Sequence, residues 1–402
     1  MKVLLVDVNY GNGSTGKIIS SIHSQLEKKG DQAYIAFGRG DRTDSPNVKR
    51  VSGKAEVYFH AIMARLTGIN GCFSPLATAR TISIIENFKP DIVHLHDIHG
   101  YFINIYALVK YLKRRKIRTV WTFHCEFMYT GKCAHSYECD KWKTTCNKCP
   151  HLHDYPKSYY FDFSRSMHKW KKRVFRDWGN LTIVSPSKWI ENRVKQSFLK
   201  HKHLLTIHNG INTETLFRKK DVTSLYHKHA INGKKVVLTA ASNLMDGNKG
   251  GIQFIELAKT LMNKNIVFIM IGVNEKTDHL PNNIIPISRI NDQNLLAQYY
   301  TMADLFVICS ERENFPTVCL EALCCGTPIC GYDVGGVTET APRGLGKFVK
   351  YGDINALSET VIEMLNVENI KERCEAYGKK EYSEEVMFQK YYSLYYSLLK
   401  DR

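Results

Sequence analysis

Long apolar runs are missing from this 402-residue sequence. No stretch approaches the ~18 consecutive apolar residues of a membrane-spanning helix. The first apolar run, MKVLLVDV, meets Asn9-Tyr10-Gly11 too early to be a signal peptide. We therefore expect a cytosolic protein. In that compartment the 12 cysteines are expected to be thiols or metal ligands, and not disulfides.

Acidic residues are scarce in the first half of the sequence. Residues 1–200 contain 33 Lys or Arg and 16 Asp or Glu, whereas residues 201–402 contain 23 of each, so the net charge of +17 belongs to the first half. The basic residues concentrate in LKRRKIR (112–118) and HKWKKRVFR (168–176). Either run alone is more often a solvated helix face. The overall imbalance indicates an anionic partner, which is nucleic acid, anionic lipid headgroups or a phosphate-bearing substrate.

A hydroxyl is missing from the motif that most resembles a nucleotide-binding loop. Residues 11–17, GNGSTGK, fit most of G-x-x-x-x-G-K-[ST], but Ile18 stands where a Ser or Thr must hold Mg²⁺. This argues against a P-loop NTPase. The loop with Gly13 and Gly16 joins a predicted buried strand to a predicted amphipathic helix, so its N–H groups can meet an anion or sugar phosphate. A strand-to-helix turn without a ligand explains the motif equally well.

Strand-like apolar runs alternate with helical patterns throughout the sequence. The runs include DIVHLH and TVWTFH in the first half and KVVLTAAS, IVFIMIG and LFVICS in the second. This alternation predicts two doubly wound α/β domains, residues 1–205 and 206–383, facing a cleft at the carboxyl ends of their strands. Residues 384–402 predict a helix with an aromatic face that packs back on the first domain.

Two carboxylates lie eight positions apart in SERENFPTVCLEALCCGTP (310–328). The segment reads as a strand end, a loop and a helix, which places Glu313 in the loop and Glu321 in the helix. Carboxylates suit the hydroxyls of a sugar or ribose, since each accepts several hydrogen bonds. Backbone N–H groups near Thr317 and Val318, at the predicted start of the helix, can take an anion.

With these motifs the sequence resembles the family-4 glycosyltransferases of the GT-B fold. Residues 310–328 match the E-x₇-E signature and its E-A-x-x-x-G-T-P continuation. Four blocks are similar to the branch that builds bacterial surface polysaccharides, including colanic-acid-type enzymes: DIVHLHDIHGYFIN (91–104), VWTFHCEFMYTGKC (120–133), CDKWKTTCNKCP (139–150) and TIHNGINTETLF (206–217). The resemblance implies a retaining hexosyltransferase without a catalytic metal. Its donor would be a UDP- or GDP-sugar, and its acceptor a lipid-linked glycan of capsule, exopolysaccharide or O-antigen.

The resemblance also assigns roles to individual residues. Glu321 would bind the donor ribose, Glu313 would face the donor sugar, and His124 matches the family histidine that contacts the transferring sugar. Lys249 matches the diphosphate-binding lysine. The arginine that usually accompanies this lysine is replaced by Asn243.

The resemblance also bears on the glycine-rich loop of the first domain and on three charged residues. Gly13 and Gly16 fall where the family places its first-domain phosphate and acceptor loop, and Lys17 or Arg312 could replace the missing arginine. Fixed cations stabilise a departing diphosphate, which gains negative charge in the transition state. In a retaining transfer the leaving phosphate can take the acceptor proton, so no base is required, although Glu126 is one candidate.

A cysteine-rich segment, about residues 125–160, lies within the first predicted domain. Four cysteines in it follow the spacing C-x₅-C-x₆-C-x₂-C: Cys133, Cys139, Cys146 and Cys149. We favour a structural zinc ion held by these thiolates. The alternative of packing or redox-labile thiols stays open. Three nearby histidines could replace one ligand: His135, His151 and His153.

Two hypotheses explain the basic first half. In the first, a transferase docks on the inner face of the plasma membrane, with Trp170, Phe175 and Trp178 on an interfacial helix. In the second, the chain is a basic zinc-knuckle protein that binds nucleic acid. The second leaves Glu313 and Glu321 in a neutral domain unexplained, so we expect a peripheral membrane enzyme and no nucleic-acid partner.

Overall fold

The predicted alternation of strands and helices forms two separate parallel sheets, each with its own hydrophobic core. The structure is a computed structural model that describes residues 1–231, 233–273 and 280–400. One unit comprises Met1–His208 together with the chain from Phe388 onward, and the other comprises Asn209–Met387. The prediction of two doubly wound α/β domains is therefore confirmed.

The first sheet has seven strands in the order β3-β2-β1-β4-β5-β6-β7. Its strands are β1 (Lys2–Asn9), β2 (Gln32–Arg39), β3 (Val48–Arg50), β4 (Ile92–Leu95), β5 (Arg118–Thr122), β6 (Leu181–Ser185) and β7 (His203–Thr206). Strand β1 pairs in parallel with β2 and β4, with Leu5 opposite Ile35 and His94. Residues 3–6 are fully buried, because helices cover both faces of a parallel sheet.

The helices between the strands of the first sheet are, in the described residues, α1 (Gly13–Lys28), α2 (Lys54–Thr67), α3 (Pro75–Phe88), α4 (Ile105–Arg114), α5 (Ser164–Phe175) and α6 (Lys188–Lys195). Capping residues in the local sequence fix where several of these helices begin. The Asn104 side chain accepts a hydrogen bond from the backbone N–H of Ala107 at the start of α4, and Ser187 does the same for Ile190 in α6. Helix α3 begins with a proline, which lacks the backbone N–H that in other residues would have no acceptor within the helix at that position.

The second sheet has six strands in the order β10-β9-β8-β11-β12-β13. These are β8 (Lys235–Ala240), β9 (Ile266–Ile271), β10 (Ile284–Ile287), β11 (Leu305–Ile308), β12 (Ile329–Tyr332) and β13 (Gly346–Val349). Its helices are α7 (Thr223–Lys228), α8 (Gly251–Thr260), α9 (Gln293–Met302), α10 (Thr317–Cys324), α11 (Ile354–Leu365) and α12 (Ile370–Tyr382). Short 3₁₀ turns occupy Lys141–Lys143, Gly247–Lys249 and Val337–Thr340.

The last helix, α13 (Glu384–Lys400), belongs to the first unit from Phe388 onward. Tyr391 and Tyr395 are buried against the first sheet. The Tyr391 hydroxyl hydrogen-bonds to the hydroxyl of Thr122 at 2.9 Å, and the Tyr395 hydroxyl to Nδ1 of His94 at 2.6 Å. The aromatic side chains of α13 therefore reach the end of β5 and the middle of β4.

Strand order reverses between β1 and β4 in the first sheet and between β8 and β11 in the second. In doubly wound sheets ligands bind outside the carboxyl ends of the strands at this reversal. The loops after these four strands are therefore where each unit should carry its site. Within the described ranges, no helix combines the length and apolar character needed to cross a bilayer.

Candidate functional site

In the second unit, the predicted diphosphate-binding and sugar-facing residues form an ion pair. Lys249 ends the 3₁₀ turn that follows β8, and Glu313 lies in the loop that follows β11. The Lys249 Nζ lies 2.7 Å from the Glu313 Oε1. The Glu313 carboxylate raises the pKa of Lys249, so the lysine stays charged at neutral pH. Both residues thus meet at the strand-order reversal.

Close backbone packing holds Glu313 in this position. The backbone N–H of Gly336 donates to the carbonyl of Glu313 at 3.1 Å. Gly335 has a φ of +60°, and a Cβ there would lie 1.8 Å from the same carbonyl oxygen. Only glycine fits this approach.

The predicted ribose-binding residue, Glu321, lies on α10 and is buried. The hydroxyl of Tyr300, on α9, donates to its Oε2 at 3.0 Å. Burial and the nearby Glu321 raise the pKa of Tyr300 well above its usual value, so the tyrosine remains a donor. Tyr300 was not predicted as a site residue, because nothing in its local sequence sets it apart from a core tyrosine.

The other predicted donor-side residues of the second unit differ in exposure. Thr317 and Val318 begin α10 and are half-buried, and the backbone N–H groups at a helix N-terminus can bind an anion. Asn243 is exposed in the turn after β8. Arg312 precedes Glu313 and is half-buried.

In the first unit, the glycine-rich loop turns directly into α1. The N–H of Gly11 donates to the carbonyl of Gly16 at 3.2 Å, and a Cβ on Gly16 would lie 3.3 Å from Asn9. Gly13 begins the helix with a φ of +70°. Lys17 is exposed on the first turn. The tight turn explains the glycines whether or not a ligand binds.

Two carboxylates that the sequence did not single out adjoin this loop. Asp7, on β1, is fully buried and accepts hydrogen bonds from the Thr15 hydroxyl at 3.0 Å and the Asp97 N–H at 2.9 Å. Burial raises the pKa of Asp7 to about 6. Burial and the nearby Asp7 also raise the pKa of Asp97 well above its ordinary value. The carboxylates meet because β1 and β4 are neighbours.

The predicted sugar-contacting residue, His124, belongs to a row of histidines. Its Nε2 shares a hydrogen bond of 3.0 Å with Nδ1 of His96, and the rings of His96 and His94 lie 4.1 Å apart. Burial lowers the pKa of His124 to about 4, so it is neutral at pH 7. His94 in turn contacts Thr122 and Tyr395. The alternation in HLH is the sequence signal that His94, in β4, and His96, just after β4, lie on the same side of the chain.

Glu126 does not fit the role of a general base. It is fully buried, and its Oε1 lies 2.7 Å from Nε of Arg193. It also accepts hydrogen bonds from the Tyr129 hydroxyl and from the backbone N–H and hydroxyl of Ser136. These contacts make Glu126 a structural anchor of the cysteine-rich segment.

The four predicted zinc ligands line one pocket of about 280 Å³, a volume that includes its open mouth. The Sγ atoms of Cys133 and Cys149 lie 3.8 Å apart. Among the residues that the structure describes, no three of the four sulfurs lie within 4.8 Å of one another, whereas one ligand atom each of Asp97, His99 and Cys125 do. The four thiols thus share one pocket, but their sulfurs are not all at the mutual distances of a tetrahedral metal site.

The interfacial helix predicted around Trp170 is largely wrong. Phe175 and Trp178 are buried in the core of the first unit, and only Trp170 of the three is exposed. The apolar residues of this stretch pack against Trp121, which the sequence pattern alone did not reveal.

Comparisons with known proteins match both halves of the chain. A family model described as glycosyl transferases group 1 matches residues 221–381, and one described as glycosyltransferase family 4 matches residues 16–215. A putative colanic acid biosynthesis glycosyl transferase of Escherichia coli is 23% identical over 88% of each chain.

Solved structures show the same fold. Sucrose-phosphate synthase from Thermosynechococcus elongatus superimposes with a TM-score of 0.72 and 15% identity over 100% of both chains. Anabaena HepE in complex with UDP-glucose gives a TM-score of 0.66 and 13% identity over 99% of this chain and 100% of that one. At these sequence identities the structural similarity supports the fold assignment alone.

Proposed function

Because the chain belongs to the family-4, group 1 glycosyltransferases and has their GT-B fold, we propose that it builds a bacterial surface polysaccharide. It transfers a hexose from a nucleoside-diphosphate donor to a lipid-linked glycan, with retention at the anomeric carbon. The observation that carries this proposal is the Lys249–Glu313 pair at the strand-order reversal of the second unit. The family matches lend no support to the nucleic-acid alternative.

The second unit holds the donor. Glu321, oriented by Tyr300, accepts hydrogen bonds from the ribose hydroxyls. Lys249 and the N–H groups at Thr317 and Val318 bind the diphosphate. Glu313 holds the Lys249 ammonium before the donor arrives and faces the sugar afterwards.

The chemical step moves charge onto the diphosphate. The bond between the anomeric carbon and the diphosphate oxygen breaks, the acceptor oxygen bonds to the same carbon, and its proton passes to the leaving phosphate. Lys249 stabilises the negative charge that develops there. His124, neutral and held by His96, hydrogen-bonds to the sugar. Gly13 and Gly16 leave the first-unit loop open to the acceptor or to phosphate, and no step requires a metal.

A thermal-shift screen of nucleotide sugars tests this function. A donor that binds only the folded chain raises its melting temperature by mass action. We expect one UDP- or GDP-sugar to stabilise the chain more than its free sugar or free phosphate does. Failure of every nucleoside diphosphate and nucleotide sugar to shift the melting temperature would contradict the proposed function.

We also propose that Cys133, Cys139, Cys146 and Cys149 hold a structural zinc ion. The four thiols line one pocket, and the described residues between Cys133 and Cys149 contain no strand. Four thiolates are a ligand set that suits a tetrahedral structural zinc site. Zinc, when bound, cross-links the segment and takes no part in transfer.

Replacing Cys146 with serine tests this site. We expect purified chain to contain about one zinc ion and Cys146→Ser to contain none, with a melting temperature lower by about 5 °C or more. Metal analysis and thermal unfolding measure both. Cys72→Ser, at a half-buried cysteine outside the pocket, is the matched control. Absence of zinc from the native chain would reject the site.

A further inference from the structure

Helix α2 exposes its large apolar side chains and buries its small ones. Its buried residues are His60, Ala61 and Ala64. Four large side chains on the other side are exposed by 68%, 55%, 53% and 41%: Tyr58, Phe59, Ile62 and Leu66. A surface helix ordinarily turns such a stripe toward the core. The outward stripe therefore needs a partner outside this fold unit.

Neighbouring segments extend this apolar surface. The backbone N–H of Tyr159 donates to the carbonyl of Arg65 near the end of α2, which joins the helix to residues 159–163. Four aromatic residues of that segment are exposed: Tyr159, Tyr160, Phe161 and Phe163. At the other end, the Ala77 N–H donates to Glu56 of α2 at 2.9 Å. This contact brings Leu76, 60% exposed, beside the helix. We call this surface the aromatic patch.

Cations border the aromatic patch. Residues 155–176 contain seven Lys or Arg and one Asp. Six of these cations are exposed: Lys157, Arg165, Lys169, Lys172, Arg173 and Arg176. Exposed Lys54 and Arg65 lie on α2 itself. A second copy of the chain would bring the same positive charge against this surface, which disfavours self-association.

We propose that the aromatic patch inserts into the surface of an anionic lipid bilayer, while the surrounding cations contact the phosphate headgroups. Tyrosine and phenylalanine at a bilayer interface bury apolar area, and each nearby cation adds attraction to anionic lipid. The inference names the membrane-contacting surface of the proposed transferase and rests on that function for its biological meaning. It places the interface on α2 and residues 159–163, in place of the predicted helix around Trp170.

Vesicle flotation of the full chain tests the proposal. We expect binding to vesicles of phosphatidylglycerol and phosphatidylcholine in equal parts, weaker binding at high salt, and little binding to phosphatidylcholine alone. The triple variant Phe59→Ser, Ile62→Ser, Tyr160→Ser should bind anionic vesicles about tenfold more weakly or worse, since three inserting side chains are lost. Because all three are exposed, its melting temperature should match that of the native chain.

The double variant Ile252→Ser, Met262→Ser is the matched control, because these side chains are 67% and 47% exposed in the second unit. It should bind vesicles as the native chain does. Equal binding by the patch variant, or no preference for anionic vesicles, overturns the proposal. So does a dimer that the patch variant dissociates, since a second copy would then cover the surface. The nucleotide-sugar screen on the same samples separates the membrane proposal from the proposed function. Lipid binding can fail while donor binding persists, and donor binding can fail while lipid binding persists.

Discussion

Replacing Lys249 with alanine is expected to lower kcat by about 10²- to 10³-fold, the usual loss when a fixed group that stabilises transition-state charge is removed. The ammonium of Lys249 lies 2.7 Å from Glu313 at the carboxyl ends of β8 and β11, where a donor diphosphate would lie. Without it the leaving diphosphate meets the Glu313 carboxylate unopposed. Single-turnover transfer with the donor found in the screen measures the effect.

Lys347→Ala provides the control for this change. Lys347 also pairs with a glutamate, Glu363, in the second unit, but that pair is exposed on β13 and α11. Its loss should leave kcat unchanged, because an exposed ion pair contributes little to the stability of the folded chain. A Lys249→Ala enzyme within threefold of the native rate would remove this lysine from the chemistry.

Replacing Glu321 with alanine is expected to weaken UDP or GDP binding by about 10- to 100-fold, because hydrogen bonds to a charged group contribute about 1.5–3 kcal/mol each. The sharper measurement compares the nucleotide with its 2′,3′-dideoxy analogue. The native chain should prefer the ribose form, and Glu321→Ala should bind both forms alike. Isothermal titration gives both dissociation constants.

Tyr300→Phe tests whether Tyr300 orients the Glu321 carboxylate or contacts the nucleotide itself. Tyr300 is fully buried and hydrogen-bonds to Glu321, so in the proposed site it would act on the nucleotide through Glu321. Its loss should therefore weaken binding by less than Glu321→Ala and keep some ribose preference. Glu359→Ala, at an exposed position on α11, should change neither. Retention of the full ribose preference in Glu321→Ala would refute the assigned role.

The domain architecture could be predicted because its signal is local. Each strand of a doubly wound sheet is an apolar run of a few residues, and each helix repeats its pattern within a few turns. The parallel order then brings Lys249 and Glu313 together across 64 residues, because β8 and β11 are neighbours at the reversal. Motif resemblance identified both residues, and the topology explains why they meet.

Contacts between distant segments could not be predicted in the same way. Asp7 and Asp97 adjoin because β1 and β4 are neighbours, although the sequence motifs assigned a role to neither residue. Glu126 looked like a candidate base until its pair with Arg193, 67 residues away, accounted for its charge. The sequence gives the chemical type of each side chain. Its protonation state, and whether it is free to bind a ligand, depend on the residues that pack around it.

The sequence by itself determined the two parallel sheets and the family, since these follow from short-range periodicity and from motifs within one loop and helix. It also singled out the residues that we propose as the donor site. Only the tertiary structure decided which apolar faces are buried. It placed Phe175 and Trp178 in the core and left Tyr58, Phe59 and Ile62 in solvent. The physical reason is that an amphipathic pattern fixes the stripe on a helix, while the neighbours available in space decide whether that stripe turns inward.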